Sequence, residues 1–135
     1  MKGIFVDTGG WYAVIDRKDR DHEAARQFLE TNRLPLITTD YIMDETVTLL
    51  QSRLGHSYAV RFLDSVQTSR LVRLVYLSQM DIEAAVVLFR NRPDKGWSLT
   101  DCSSFVLMQK FQLQIAFAFD GHFRQAGFQT RPETT

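Results

Sequence analysis

The sequence predicts an α/β fold in which helices cover both faces of a central, mostly parallel sheet. Short apolar runs typical of buried strands recur along the chain, at 3–6, 36–38, 71–77 and 115–119. Longer segments with the apolar spacing of helices separate these runs. Strands joined by helical segments form parallel sheets that are buried on both sides. The order of the elements therefore predicts the fold class before any motif is considered.

Each helical segment is bounded by residues that start or stop helices. Asp40 can cap a helix that runs to Arg53, and Gly55 would end it. Pro93 would limit a later helix. We expect helices at 11–15, 22–30, 40–53, 58–66, 81–90 and from 99 onward, then a short helix around 122–126, a turn at Gly127 and a polar tail.

Composition limits the class of protein. The chain has 135 residues, which favours one domain, and we assign 1–130 to it and 131–135 to a polar C-terminal tail. Sixteen basic and 16 acidic residues cancel, which argues against a protein that coats nucleic acid through bulk charge. Cys102 is the single cysteine, and no apolar run approaches the roughly 20 residues of a membrane span. We therefore expect a soluble, cytoplasmic protein that does not enter a membrane.

The stretch SLTDCSSF, residues 98–105, opens a largely apolar helix and contains Asp101. Ser98 and Asp101 have the spacing of a capping box, in which the acid hydrogen bonds to the backbone of the capping residue. The same spacing recurs at Ser78 and Asp81, ahead of another predicted helix. The motif alone therefore does not distinguish a helix cap from a catalytic acid, and the positions of the other acids must decide.

Three further acids occupy positions that a parallel sheet brings together. Asp7 and Asp120 follow the first and last predicted strands, and Glu45 borders the apolar stripe of the helix after the second strand. Taken singly, they are typical of a helix cap, an Asp-Gly turn and a half-exposed side chain. Taken with Asp101, they predict four carboxylates at the carboxyl edge of the sheet, where ligands of such folds bind. A divalent cation that prefers hard oxygen ligands, Mg²⁺ or Mn²⁺, would relieve their repulsion.

Four segments carry a resemblance to a known family: IFVDTGGWYA, TTDYIMDETVTLL, SLTDCSSFVLMQKF and AFAFDGHFRQAGF. In this order and at this length the chain resembles the PIN-domain family, and in particular the VapC-type toxins of toxin–antitoxin pairs. The resemblance implies a PIN-like three-layer α/β/α sandwich and a metal-dependent endoribonuclease. It also implies that Asp7, Glu45, Asp101 and Asp120 are the catalytic acids and hold Mg²⁺ or Mn²⁺ while water attacks an RNA phosphodiester bond.

The residues after Asp7 include the one departure from the family pattern. The resemblance implies that Thr8 supports the site by helping to hold Asp7 or a water of the metal. Gly9 and Gly10 replace the serine and the bulkier residue that often follow the Asp-Thr pair. These two glycines would allow the backbone to approach a phosphate group closely.

The resemblance also implies partners. The substrate would be RNA, and a small cognate antitoxin would silence the protein. Family members commonly form homodimers, for which the predicted helices at 40–66 offer apolar surface. Near the acids, we identify His122, Arg124 and Lys95 as candidates for contact with the substrate.

Two other classes of function fit parts of the pattern. The alternative is a non-catalytic PIN module that binds RNA or protein, which the loss of a ligand acid would favour, but all four acids are present. A Mg²⁺-dependent phosphatase would need a second aspartate two residues after Asp7, where the chain has Gly9. A receiver domain would need an aspartate directly after the third strand, where the chain has Ser78. A metal-dependent ribonuclease is therefore the leading prediction.

Overall fold

Five parallel strands form the central sheet. The computed structural model describes residues 1–133. In this range the strands are β1 (Ile4–Val6), β2 (Leu36–Thr39), β3 (Val72–Val75), β4 (Ile115–Phe117) and β5 (Gln129–Arg131). Their order across the sheet is β3-β2-β1-β4-β5, and all neighbouring strands are parallel. The carboxyl ends of all these strands therefore lie at one edge of the sheet.

Seven helices within the same residues connect or follow the strands. They are α1 (Thr8–Ile15), α2 (His22–Thr31), α3 (Asp40–Arg53), α4 (His56–Thr68), α5 (Gln79–Asn91), α6 (Leu99–Lys110) and α7 (His122–Gln125). The cap of α3 is Thr39, whose side chain accepts a hydrogen bond from the amide of Ile42, and Asp40 is the first helical residue. Over residues 1–133, no helix has the length and apolar character needed to cross a membrane.

Aromatic contacts show that helices cover both faces of the sheet. Phe5 of β1 packs against Phe123 of α7, with ring centres 6.0 Å apart, and Phe123 meets Phe105 of α6 at 5.1 Å. Phe117 of β4 packs against Phe28 of α2 at 4.7 Å. Because side chains of a strand alternate between faces, the register of β1 with β4 places Phe5 and Phe117 on opposite sides. The predicted three-layer α/β/α sandwich is confirmed.

The fifth strand was not predicted from the sequence. The turn at Gly127 forms as expected, with φ of 96°, but β5 follows it and extends to Arg131, the first residue of the predicted tail. Its three residues are polar and only Thr130 is buried, so the strand lacks the apolar pattern that marks the others. Thr134 and Thr135 of the predicted tail lie outside the described residues.

Strand order creates a switch point beside β1. After β1 the chain forms β2 and β3 on one side of that strand, and it later forms β4 on the other side of β1. In open parallel sheets, ligands bind at the carboxyl ends of the two strands where the connections part. Asp7 follows β1 and Asp120 follows β4 shortly after, so the fold itself brings these acids to the switch point.

The start of α1 lies directly against β4. The amide of Asp7 donates to the carbonyl of Phe117 over 3.1 Å. A methyl group added to Gly10 would lie 2.6 Å from that carbonyl oxygen, whereas one added to Gly9 would have no heavy atom within 4 Å. Gly10 therefore permits the close approach of helix and strand, which is a different role from the phosphate contact that the sequence suggested.

The two glycines of α1 form a matched pair for a stability test. We expect Gly10→Ala to lower the free energy of unfolding by about 1–3 kcal/mol, because helix and strand must separate. We expect Gly9→Ala to be neutral or to stabilise by up to about 1 kcal/mol, because alanine favours helices and the site is open. Urea unfolding of both variants checks this, and equal effects would contradict the packing role of Gly10.

Candidate active site

Asp7 is the buried centre of the acidic site. Its residue is only 5% exposed, and it occupies the position before α1 without making the side-chain hydrogen bond of a helix cap. Burial raises the pKa of Asp7 well above its ordinary value, and the negative charges of Asp120, Asp101 and Glu45 together raise it further. A hydrogen bond with the Thr8 amide lowers the pKa, but by less than these effects combined. The structure therefore brings Asp120, Asp101 and Glu45 within electrostatic range of Asp7.

Asp101 is both a helix-capping residue and a member of this acidic cluster. Its Oδ2 accepts a hydrogen bond from the amide of Ser98 at 3.0 Å, and its own amide donates to Ser98 Oγ at 2.9 Å. The same Oδ2 accepts a second hydrogen bond, from Nδ1 of His122 at 2.9 Å. The capping box is thus present, and it leaves Oδ1 without a hydrogen bond from any other residue in 1–133.

The second capping box of the chain has a different environment. Ser78 and Asp81 form the same pair of hydrogen bonds at the start of α5. Here the Nζ of Lys110 lies 3.1 Å from Oδ1 and 3.5 Å from Oδ2, so a cation covers the carboxylate. The two capping boxes therefore have equal sequence spacing but different surroundings. Lys110 neutralises the charge of Asp81, whereas the charge of Asp101 lies near that of other acids.

Glu45 reaches the site from α3. Thr8 donates a short hydrogen bond of 2.6 Å from its hydroxyl to Glu45 Oε1, which links the start of α1 to α3. The prediction was that Thr8 would help hold Asp7 or a water of the metal. In the structure its side chain holds Glu45, which is exposed, and its backbone amide forms a hydrogen bond with Asp7 that lowers the pKa of that acid. Both residues line an open groove of about 670 Å³ that continues along α3 past Tyr41 and Thr48.

Asp120 lies at the solvent side of the cluster. Its side chain is 44% exposed, and Oδ1 accepts the backbone amide of His122 at 2.9 Å. This hydrogen bond belongs to the Asp-Gly turn that the sequence suggests when Asp120 is considered singly. The turn also brings the His122 ring within 3.9 Å of the same oxygen. Asp120 therefore joins the cluster from a turn, while Asp7 and Asp101 join it from buried positions.

The two basic residues predicted to contact substrate do not touch the acids. Arg124 donates from its guanidinium to the hydroxyl of Thr130 at 3.0 Å, and Lys95 lies in the loop before α6. Over the part of the chain that the structure describes, neither forms an ion pair with any of the four acids. Their contact with substrate stays a prediction.

Comparison with known proteins identifies the family. The PIN-domain family model matches residues 4–129, which includes all four acids. The chain belongs to the PIN-domain family. The predicted resemblance is thereby confirmed, and the matched region contains the switch-point cluster.

Named proteins that are similar to this chain support the same family assignment. The 23S rRNA-specific endonuclease VapC20 of Mycobacterium tuberculosis is 34% identical over 131 residues, which cover 96% of this chain and 99% of the relative. A VapC ribonuclease of Archaeoglobus fulgidus is 28% identical over 123 residues, covering 87% of this chain and 77% of the relative.

Solved structures agree with the fold. The crystal structure of Mycobacterium tuberculosis VapC20, described as a sarcin-ricin loop cleaving toxin, superposes with a TM-score of 0.89 at 33% identity. The match covers 93% of this chain and 96% of that one. FitAcB from Neisseria gonorrhoeae matches with a TM-score of 0.70 at 14% identity, covering 94% and 95% of the two chains, and supports the fold alone.

The donor atoms of the PIN-domain site suit a hard divalent cation. The four side chains offer only carboxylate oxygens, which Mg²⁺ and Mn²⁺ prefer. Among residues 1–133, no three Asp, Glu, His or Cys side chains already converge as a formed metal site. Mg²⁺ usually takes only one or two carboxylates directly and keeps several waters, so a converged set of three is not needed. The cluster therefore fits the cation by its chemistry and by its unneutralised charge.

Two contacts of the site have no signal in the sequence. His122 forms a hydrogen bond from its ring nitrogen to Asp101, 21 positions earlier in the chain, and its contact with substrate stays a prediction. The pairing of Thr8 with Glu45 joins residues 37 positions apart. Spacing rules detect neighbours within one helix or turn, and such long-range side-chain pairs follow only from the packed structure.

The environment of Asp7 predicts how stability depends on pH in the absence of divalent cations. Because the pKa of Asp7 is higher in the folded chain than the unfolded value of 3.8, its contribution to stability is complete below that value. The contribution is lost as the pH rises through the folded-state pKa. We expect Asp7→Asn to raise the melting temperature at neutral pH in EDTA by several degrees, since ~1 kcal/mol corresponds to roughly 4 °C here.

Differential scanning calorimetry of both proteins between pH 4 and pH 8 checks this expectation. The difference between variant and wild type should shrink toward acid pH. Asp64→Asn, at an exposed position on α4, is the control and should leave the melting temperature almost unchanged. A lower melting temperature for Asp7→Asn at neutral pH would show that the buried charge stabilises the fold.

Proposed function

We propose that this PIN-domain protein is a VapC-type endoribonuclease that depends on Mg²⁺ or Mn²⁺. The observation that carries the proposal is the buried carboxylate of Asp7 at the switch point, with three further carboxylates that raise its pKa. Such a cluster is unfavourable without a bound cation, and the chain retains it. Relatives named as ribonucleases across nearly the whole chain support the reaction.

The residues of the site have distinct tasks in this proposal. Asp7 and Asp101 would hold the cation from buried positions, and Glu45 and Asp120 would complete the site from the open side. The cation would supply positive charge that eases deprotonation of an attacking water and stabilises charge on the phosphodiester in the transition state. Thr8 orients Glu45 through its hydroxyl. The open groove beside Glu45 gives an extended RNA strand access to the acids.

Ribosomal RNA is the substrate that we propose first. The relative from Mycobacterium tuberculosis that is similar over 96% of this chain is named a 23S rRNA-specific endonuclease, and its structure is described as a sarcin-ricin loop cleaving toxin. Intact ribosomes and deproteinised RNA are both needed in a test, because a structured ribosomal target differs from a free strand in the shape that it presents.

The alternative of a non-catalytic PIN module is less well supported. A binding module has no need for a buried carboxylate without a cationic partner, since an unpaired buried charge destabilises the fold. Asp81, a structural acid of this chain, is paired with a cation in the usual way, because the ammonium of Lys110 lies beside its carboxylate. The phosphatase and receiver readings are set aside because the chain belongs to the PIN-domain family.

Cleavage assays with matched variants test the proposed function. Purified ribosomes and total RNA are incubated with wild-type protein in Mg²⁺, Mn²⁺ or EDTA, and cut sites are mapped by primer extension. We expect metal-dependent cutting that falls at least about 100-fold in Asp101→Asn, because a cation at the reacting phosphate is worth several kcal/mol. Asp64→Asn should cut as wild type does.

Three results would contradict the proposal. Cutting that persists in EDTA, or that Asp101→Asn retains, would exclude a mechanism through the four acids. Binding of RNA without cutting in any metal would support the non-catalytic module instead.

We also propose that a small antitoxin binds the second groove of the protein. This groove of about 970 Å³ lies between α1, α2 and α4, and its floor is apolar, with Trp11 and Phe62 in edge-to-face contact at 5.5 Å. Four cations stand at its rim: Arg17, Lys18, Arg53 and Arg61. An amphipathic segment with acidic residues would fit both features. The antitoxin itself is implied by the family resemblance.

Charge reversal at the rim tests this assignment. We expect Arg53→Glu combined with Arg61→Glu to weaken binding of the proposed antitoxin by at least about 10-fold, because like charges then meet. Arg90→Glu, at an exposed position on α5 outside the groove, is the control. Isothermal titration calorimetry at two salt concentrations measures the effect. Equal affinity of all three proteins would place the antitoxin on another surface.

The homodimer stays a prediction, but the structure favours a different surface for it. The sequence suggested the helices at 40–66, where Tyr58 and Val60 are each 38% exposed. More strongly exposed apolar side chains lie on and just before α5, at Tyr76, Met80 and Val87. We propose this second surface as the contact between two copies of the chain.

A further inference from the structure

We infer that His122 is a positioning residue that fixes the orientation of the Asp101 carboxylate and leaves one of its oxygens free to face the metal site. The inference rests on the proposed function, because it concerns how the chain prepares a ligand for the cation. The observation behind it is the hydrogen bond of 2.9 Å between His122 Nδ1 and Asp101 Oδ2.

Two hydrogen bonds on one oxygen define the orientation of the Asp101 carboxylate. The Ser98 amide and the His122 ring both bind Oδ2, at 3.0 Å and 2.9 Å. An ionised carboxylate only accepts hydrogen bonds, so Nδ1 must be the protonated nitrogen of the ring in this contact. The amide hydrogen bond alone would leave the carboxylate free to rotate in part about the Cβ–Cγ bond. The second donor holds Oδ2 in place, and Oδ1 is left for a ligand.

The other capping box shows that the helix start does not require this histidine. Asp81 caps α5 with the same geometry, and its second partner is Lys110, whose ammonium lies near both oxygens. A lysine at the corresponding place beside Asp101 would cover Oδ1 and neutralise the charge that a cation needs. An imidazole N–H occupies one oxygen and leaves the other open, which suits a ligand but adds little to a cap.

The packing of α6 against α7 holds the histidine in place. Phe123, adjacent to His122, is fully buried and meets Phe105 at 5.1 Å. Phe105 lies one helical turn after Asp101, so the aromatic pair sets the spacing between the two elements. At the other end, Asp120 accepts the His122 amide at 2.9 Å. The ring is thus fixed on two sides, and it bridges the acids that follow β4 and open α6.

Three variants of His122 separate positioning from substrate contact. Asparagine places its amide nitrogen near the position of Nδ1, glutamine places its nitrogen near Nε2, and alanine removes both. Mn²⁺ binding without RNA is measured by calorimetry and by electron paramagnetic resonance, and kcat and KM are measured on RNA. Loss of a hydrogen bond to a metal ligand typically weakens binding about 10–100-fold.

We expect His122→Ala and His122→Gln to bind Mn²⁺ about 10–100-fold more weakly, with the loss of activity in kcat and little change in KM. We expect His122→Asn to restore Mn²⁺ affinity to within about threefold of wild type, because it keeps the donor to Asp101. Lys110→Met, which removes the partner of Asp81 at the other capping box, is the matched control. It should lower stability and leave Mn²⁺ affinity unchanged.

Opposite results would overturn the inference in distinguishable ways. Wild-type Mn²⁺ affinity in all three variants, with KM raised in His122→Ala and His122→Asn but not in His122→Gln, would assign the ring to the RNA. Wild-type behaviour of every variant would leave His122 without a role in the site. If the wild-type protein neither binds Mn²⁺ nor cuts RNA, the proposed function fails, and this inference fails with it.

Discussion

The site is governed by a buried carboxylate that has like charges for neighbours. Within residues 1–133, none of the four acids forms an ion pair with lysine or arginine, and Glu45, Asp101 and Asp120 are held by neutral donors or by the His122 ring. Some acids elsewhere are paired with arginine: Arg26 lowers the pKa of Glu23, and Arg92 lowers that of Asp94. The pKa of Asp7 is shifted in the opposite direction, which marks this cluster as a candidate functional site.

The sequence was sufficient to predict the layers of the fold and most of its elements. Four strands were marked by apolar runs, because strands buried on both faces have few polar residues. The ends of β4 were less well predicted, since the apolar run continues to Phe119 beyond the strand. The fifth strand could not be found in this way, because an edge strand of three polar residues resembles a tail. Its place in the sheet depends on pairing with β4, in which each paired residue lies 14 positions earlier in the chain.

The four acids were predictable because topology places the carboxyl ends of parallel strands together. What the sequence did not provide was the orientation of each side chain. Two capping boxes with identical spacing differ in structure because Lys110 faces one and His122 faces the other. The glycines after Asp7 likewise differ in role, since only Gly10 approaches β4. Such distinctions arise from contacts between elements that are far apart in the chain.

The position of β4 beside β1 has a consequence for the timing of synthesis. Asp7 leaves the ribosome first. Its backbone amide, however, hydrogen bonds to Phe117, the last residue of β4. A chain that stops before β4 contains Asp7, Glu45 and Asp101, yet it lacks the strand beside β1 to which the Asp7 amide hydrogen bonds. Completion of the fold and assembly of the acids therefore coincide, and an unfinished nascent chain does not carry a formed site.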